Sequence, residues 1–190
     1  MTELRDAAIQ LCADLDSLNI AYAMGGSFAS SIHGIARATQ DLDIGAAITL
    51  SQGEQLTVLL KESSYADAGQ IRDAILQCRS FNVIHLATAF KLDIFPASSH
   101  PLGAQEIKRR QLTSTAILGG DALVLPVISA EDIILAKLRW YQDGGGASER
   151  QWNDIQNILQ VQGNRLDRGF LHEWAVVLEV QELLSKLLDE

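Results

Sequence analysis

The chain has 190 residues, 47% of them hydrophobic and 21% charged, which is enough for one globular domain with a sizeable core or for a domain with a small helical appendage. A net charge of −9 argues against extended duplex nucleic acid as a partner, and no uncharged apolar stretch is long enough to span a membrane. Two cysteines, Cys12 and Cys78, make no disulfide framework, and the N-terminal segment shows no basic region followed by an apolar run; the expectation is a cytoplasmic protein.

Apolar residues at Leu4, Ala7, Ala8, Leu11, Cys12, Leu15 and Leu18 recur at three-to-four spacing and predict an amphipathic helix over 3–18. Ile20 to Met24 reads as a short buried strand. Gly25-Gly26 breaks it, and Ser27 is expected to start a helix that ends near Gly34. Asp41-Leu42-Asp43-Ile44 alternates as a half-buried strand does. Helices are expected around 51–62 and 67–78, then strands at 81–86 and 90–95, joined tightly, and a short helix at 104–110. Gly119-Gly120-Asp121 separates two apolar segments as a hairpin turn would. After Pro126 the character changes. Ser129 with Asp132 marks a helix start, Gly144-Gly145-Gly146 ends that helix, and further helices follow at 148–160, 167–178 and up to Leu188. Trp140, Trp152 and Trp174 fall at helical positions and read as core. The fold class is therefore α+β, with a mixed sheet flanked by helices over 1–126 and a C-terminal helical region over 127–190 packed on that core.

On a strand, residues i and i+2 share a face, so Asp41 and Asp43 would present two carboxylates to one point. Like charges this close need compensation, and a hard divalent cation with oxygen ligands supplies it. Asp93, between Leu92 and Ile94, places a third carboxylate on another apolar strand. Gly25-Gly26-Ser27, between a strand and a helix, suits close approach of a phosphate, although taken by itself a plain strand-to-helix turn with a serine cap is the commoner explanation. Neither a dinucleotide fingerprint nor a P-loop is present. Lys137 lies in an unusually apolar helix, either snorkelling or meeting a phosphate. Arg150 and Asp154 stand four apart and suit a helix-surface pair, or else Arg150 meets a phosphate while Asp154 orients Lys137. Arg37 either clamps phosphates or pairs with an acid. Arg109-Arg110 reads as charged surface or an acceptor patch. His33 reads as helix surface or a hydrogen-bonded core residue, and His85, His100 and His172 make no zinc pattern.

Gly25-Gly26-Ser27 followed by Arg37-Ala38-Thr39-Gln40-Asp41-Leu42-Asp43-Ile44 resembles the signature of the DNA polymerase beta-type nucleotidyltransferases, with Asp93 in Lys91-Leu92-Asp93-Ile94-Phe95 matching the third carboxylate. Ser129 to Leu138, with Arg150 and Asp154, resembles the helical region of small bacterial nucleotidyltransferase-like proteins, among them toxin partners of abortive-infection systems. The likeness spans roughly residues 20 to 160. It implies two magnesium ions on Asp41, Asp43 and Asp93, with a nucleoside triphosphate as substrate. Gly25, Gly26, Ser27, Arg37, Lys137 and Arg150 would bind that nucleotide. Asp41, Asp43, Asp93 and Lys137 would be catalytic. The implied reaction moves a nucleoside monophosphate to a hydroxyl of a small molecule, a protein or an RNA end and releases pyrophosphate. An inactive nucleotide-binding or regulatory protein of the same fold, or a toxin–antitoxin component, is the alternative, and a partner protein could supply part of the acceptor site.

Overall fold

The computed structural model describes residues 2–39 and 41–188. Gln40, within the motif singled out above, lies outside the described residues, as do Met1, Asp189 and Glu190 at the chain ends. Helix α1 (Thr2–Ser17) buries Leu4, Ala7, Ala8, Leu11 and Leu15, as its spacing predicts. The chain then enters β1 (Ala21–Met24), turns through Gly25 into α2 (Gly26–His33), and returns along β2 (Leu42–Ala47). Helix α3 (Leu50–Leu60) opens with a reciprocal capping box between Thr49 and Gln52, and α4 (Ala68–Leu76) is capped by the Asp67 side chain. Between these helices lies β3 (Ser64–Tyr65), which periodicity does not reveal because two residues carry no period.

Strands β4 (Phe81–His85) and β5 (Lys91–Pro96) form the expected hairpin, and α5 (Gly103–Arg109) leads to a second hairpin of β6 (Gln111–Thr115) and β7 (Leu123–Val127). Among the described residues, the seven strands form one sheet in the order β3-β4-β5-β2-β1-β7-β6. It is mixed: β2 runs parallel to β5 and β1 parallel to β7, while the other neighbours are antiparallel. Leu42, Ile44, Leu92 and Ile94 from the central parallel pair are fully buried. Each contributes roughly 1.5–3 kcal/mol of hydrophobic stabilisation. Their alternation turns Asp43 and Asp93 to the other face.

The remaining chain is helical: α6 (Ala130–Asp143), α7 (Glu149–Gln162), α8 (Arg168–Val177) and α9 (Gln181–Leu188). At the start of α6 the Ser129 hydroxyl accepts from the Asp132 N–H and donates to the Asp132 carboxylate. Arg109 does not form a surface patch. Its guanidinium donates to Glu131 at 3.0 Å and lies 3.7 Å from the Phe170 ring centre, tying α5 to α6 and α8. His33 takes the second of its two expected settings. Its Nε2 lies 2.7 Å from the Ile128 carbonyl, which can only accept, and burial lowers its pKa below the ordinary histidine value. No helix among the described residues is long and apolar enough to cross a membrane.

Candidate active site

Parallel pairing places Asp43 of β2 directly beside Asp93 of β5, both on the face away from the buried leucines and isoleucines. Asp41 immediately precedes β2 instead of lying within it, since the strand begins at Leu42 and runs on to Ala47. There the Thr39 hydroxyl donates to the Asp41 backbone carbonyl at 2.8 Å, with Asp41 Oδ1 at 3.1 Å. Asp43 feels both other carboxylates. Burial first, then repulsion from Asp41 and Asp93, push its pKa up to about 6 against the opposing pull of Lys137 and Lys91.

The turn into α2 fits closely around Asp43. The Gly25 N–H donates to the Asp43 carbonyl at 2.8 Å. Gly26 has φ +51°, and a Cβ at this position would stand 1.7 Å from Asp43 Oδ2. Only glycine can occupy it, for both conformational and steric reasons. The helix therefore starts before Ser27, and Ser27 is not its cap. Gly25 occupies the cap position without a side-chain bond, which leaves the Ser27 hydroxyl free for other partners. It accepts from Arg37 Nη2 at 2.7 Å and from Arg150 Nη2 at 3.4 Å.

Asp154 organises the cationic side of the site. It receives a two-pronged contact from Arg37, at 3.0 Å from Nε and 2.9 Å from Nη2, and a further bond from Lys137 Nζ at 2.8 Å. Lys137 also donates to Gln151 at 2.7 Å and is only 2% exposed, so it does not snorkel. Its desolvation lowers its pKa below the ordinary lysine value, while the Asp154 contact works in the opposite direction. The same two cations hold Asp154 below the ordinary carboxylate value against its own burial. The expected helix-surface pair between Arg150 and Asp154 gives way to this arrangement: α7 turns Asp154 inward while Arg150 stays exposed and reaches Ser27.

Among the described residues, no three of His, Cys, Asp and Glu are grouped to hold one metal ion as they stand. The Lys91 ammonium lies 2.7 Å from Asp93 Oδ2. The donor chemistry nonetheless fits a hard cation. The candidate ligands are all carboxylate oxygens, and Asp93 Oδ1 is buried without a hydrogen-bond partner.

A cavity of about 460 Å³ opens beside these residues. Gly26, Asp43 and Lys137 line one part of it, and Phe95, His100 and Trp140 another. Trp140 is not core: it is 43% exposed and faces Phe95 at 6.0 Å between ring centres. Glu106, on the short helix α5, meets His100 at 3.2 Å. Sequence gave no local cue to these cavity residues, because they come from a strand end, a loop and two helices.

Three solved structures share 14% to 21% identity with this chain over 81% to 100% of its length. An antigenic nucleotidyltransferase-like protein from Paracoccidioides brasiliensis shares 21% identity over 100% of this chain and 93% of its own, with a TM-score of 0.55. The antibiotic-resistance factor ANT(2'')-Ia matches at 14% identity over 90% of this chain and 92% of its own, with a TM-score of 0.54. The fold is nucleotidyltransferase-like. A putative nucleotidyltransferase from Thermotoga maritima shares it at 14% identity over 81% of this chain and 94% of its own, with a TM-score of 0.53. No protein-family model matches the chain, and no curated protein matches it in sequence. Within this nucleotidyltransferase-like fold, the Gly25-Gly26 turn, the Asp43–Asp93 pair and the Asp154-centred cations border one region.

Proposed function

We propose that the protein is a magnesium-dependent nucleotidyltransferase that moves a nucleoside monophosphate from a nucleoside triphosphate to a hydroxyl acceptor. The observation that carries this reading is the seating of Asp43 against a position that only glycine can occupy, in register with Asp93. A turn with no side chain lets a phosphate approach the first backbone N–H groups of α2, the Gly25 N–H itself being taken by the Asp43 carbonyl. Ser27, Arg37 and Arg150 stand beside that turn to orient the triphosphate, and Lys137 adds positive charge from the far side. In this reading residues 1–126 supply the carboxylates and the phosphate turn, and the helical region 127–190 closes over them.

Asp41, Asp43 and Asp93 would hold magnesium, which when bound neutralises phosphate charge and acidifies the acceptor hydroxyl. In this reading the Asp93 carboxylate takes the hydroxyl proton. The acceptor oxygen bonds to the α-phosphorus, the bond from that phosphorus to the β-phosphate oxygen breaks, and pyrophosphate leaves.

Calorimetric titration of the four nucleoside triphosphates, with and without magnesium, tests the reading. Wild-type protein should bind at least one of them only with magnesium, and Asp41→Asn and Asp43→Asn should weaken that binding. Absence of any magnesium-dependent binding to wild type would sink the proposal. Binding without transfer to any acceptor would make the protein a nucleotide-binding regulator of the same fold.

A further inference from the structure

The cavity beside Asp43 has the dimensions and lining of a site for a whole small molecule. Its volume, about 460 Å³, lies within the range of drug-sized ligand pockets. Phe95 and Trp140 form a tilted aromatic pair on one wall, with the Trp140 ring partly open to solvent. The His100–Glu106 pair supplies a hydrogen-bonding group on another. Gly45 marks where that pair sits. It follows Asp43 by two residues on β2, and a Cβ there would lie 3.9 Å from Glu106 Oε2. Residues i and i+2 on a strand are about 7 Å apart on the same face. The acid–histidine pair therefore stands roughly one such step from the carboxylate of Asp43.

The charges around the cavity narrow the choice of occupant. Its arginine and lysine, among the described residues, are both engaged. Lys137 is held by Asp154 and Gln151, and Arg139 by Asp143 and the Leu178 carbonyl. Lys137 lies on the triphosphate side, so an RNA end would bring its phosphodiesters to the Phe95–Trp140 wall, whose own cation, Arg139, is tied to Asp143 and the Leu178 carbonyl, on a chain of net charge −9. A ring-bearing alcohol needs none. Its ring can stack on Trp140 and Phe95, and a hydroxyl can bond to His100.

We propose that this cavity is the acceptor site and that the acceptor is a small, non-anionic, ring-bearing alcohol. Trp140 and Phe95 grip its ring, and His100, braced by Glu106, orients a hydroxyl toward the Asp43–Asp93 edge. The assignment rests on the nucleotidyltransferase reading and selects among its acceptors. In it His100 is a positioning residue, since the proton goes to Asp93.

Benzyl alcohol serves as the probe, read by saturation-transfer NMR on the full chain with magnesium and the nucleotide found to bind. Wild type should transfer saturation to the benzyl ring. Trp140→Ala should weaken that contact on the order of tenfold, and Trp140→Phe should largely restore it. His100→Gln should perturb the signals of the alcohol CH₂ more than those of the ring. Val161→Ala, on an exposed helix face away from the cavity, should change neither. Transfer is then followed with labelled triphosphate, offering benzyl alcohol, glycerol and a ten-nucleotide RNA with a free 3′-hydroxyl. Label on benzyl alcohol in preference to RNA supports the assignment. Nucleotide binding without ring contact, contact insensitive to Trp140→Ala, or label on RNA or on protein overturns it while the nucleotidyltransferase reading stands. No magnesium-dependent nucleotide binding, even with ring contact intact, overturns both.

Discussion

Lys137 and Asp154 form a buried ion pair at 2.8 Å between α6 and α7. Arg37 completes the arrangement from the loop before β2, 117 residues away in sequence. Breaking such a pair from one side leaves an uncompensated charge in the interior. Asp154→Ala is therefore expected to lower the unfolding free energy by about 3–5 kcal/mol. Adding Lys137→Met should recover much of that loss, because the orphaned ammonium goes too. Urea denaturation of both variants checks the pair of expectations, and equal loss in the single and double variants would contradict them.

Gly26→Ala tests the seat of Asp43. The left-handed backbone alone costs about 1–2 kcal/mol with a Cβ present, and the carboxylate at 1.7 Å must also move. Stability should fall by at least that amount, and magnesium-dependent nucleotide binding should weaken further than the stability change explains. In Gly26→Ala/Asp43→Ala most of the steric part of the cost should disappear, since only the contact with the residue 43 Cβ at 2.9 Å remains, and thermal melts of the single and double variants would show it.

Asp132 sets a pH dependence. It is 0% exposed, and burial pushes its pKa up to about 6, with Ser129 and Arg109 opposing. A folded-state value above the unfolded one means that the folded chain holds this proton more tightly. The favourable contribution is complete below the unfolded value near 4 and is lost as pH rises through about 6. The change is on the order of 3 kcal/mol. Asp132→Asn should flatten the wild-type decline in stability between pH 4 and pH 7 by roughly that amount. An unchanged slope in denaturation curves across that range would count against it.

Lys91 competes with any cation for Asp93. Its ammonium is half exposed, so Lys91→Ala should change stability by less than about 1 kcal/mol. Divalent-ion binding should tighten several-fold, since Asp93 Oδ2 no longer carries a fixed counter-charge. Calorimetry with magnesium and with manganese measures this directly, and weaker binding in the variant would show that Lys91 supports the site.

The fold was largely readable from periodicity, because Leu42 and Ile44, or Leu4 and Leu11, follow the period of the element that buries them. Asp41, Asp43 and Asp93 stood out as charges interrupting apolar strands, and the pairing register brings the last two side by side. The role of Asp154 is ambiguous in the sequence, since Arg150 at i,i−4 and Lys137 on the preceding helix are equally good partners on paper; the packing of α7 decides for Lys137 and adds Arg37, which nothing in the sequence ties to it. Trp140 looked like core because helical spacing does not say which helix face meets a cavity. His100 and Glu106 belong to a loop and a short helix whose approach to Gly45 is a long-range fact with no local trace.

The contact between Gly26 and Asp43 also reaches beyond this molecule. With the backbone arranged as it is here, a lineage that places a side chain at position 26 must first give up or displace the carboxylate at 43. The two positions are tied in descent, and homologues that vary at one are expected to vary at the other. That dependence offers a historical record of which relatives have given up the carboxylate at position 43, legible without any assay.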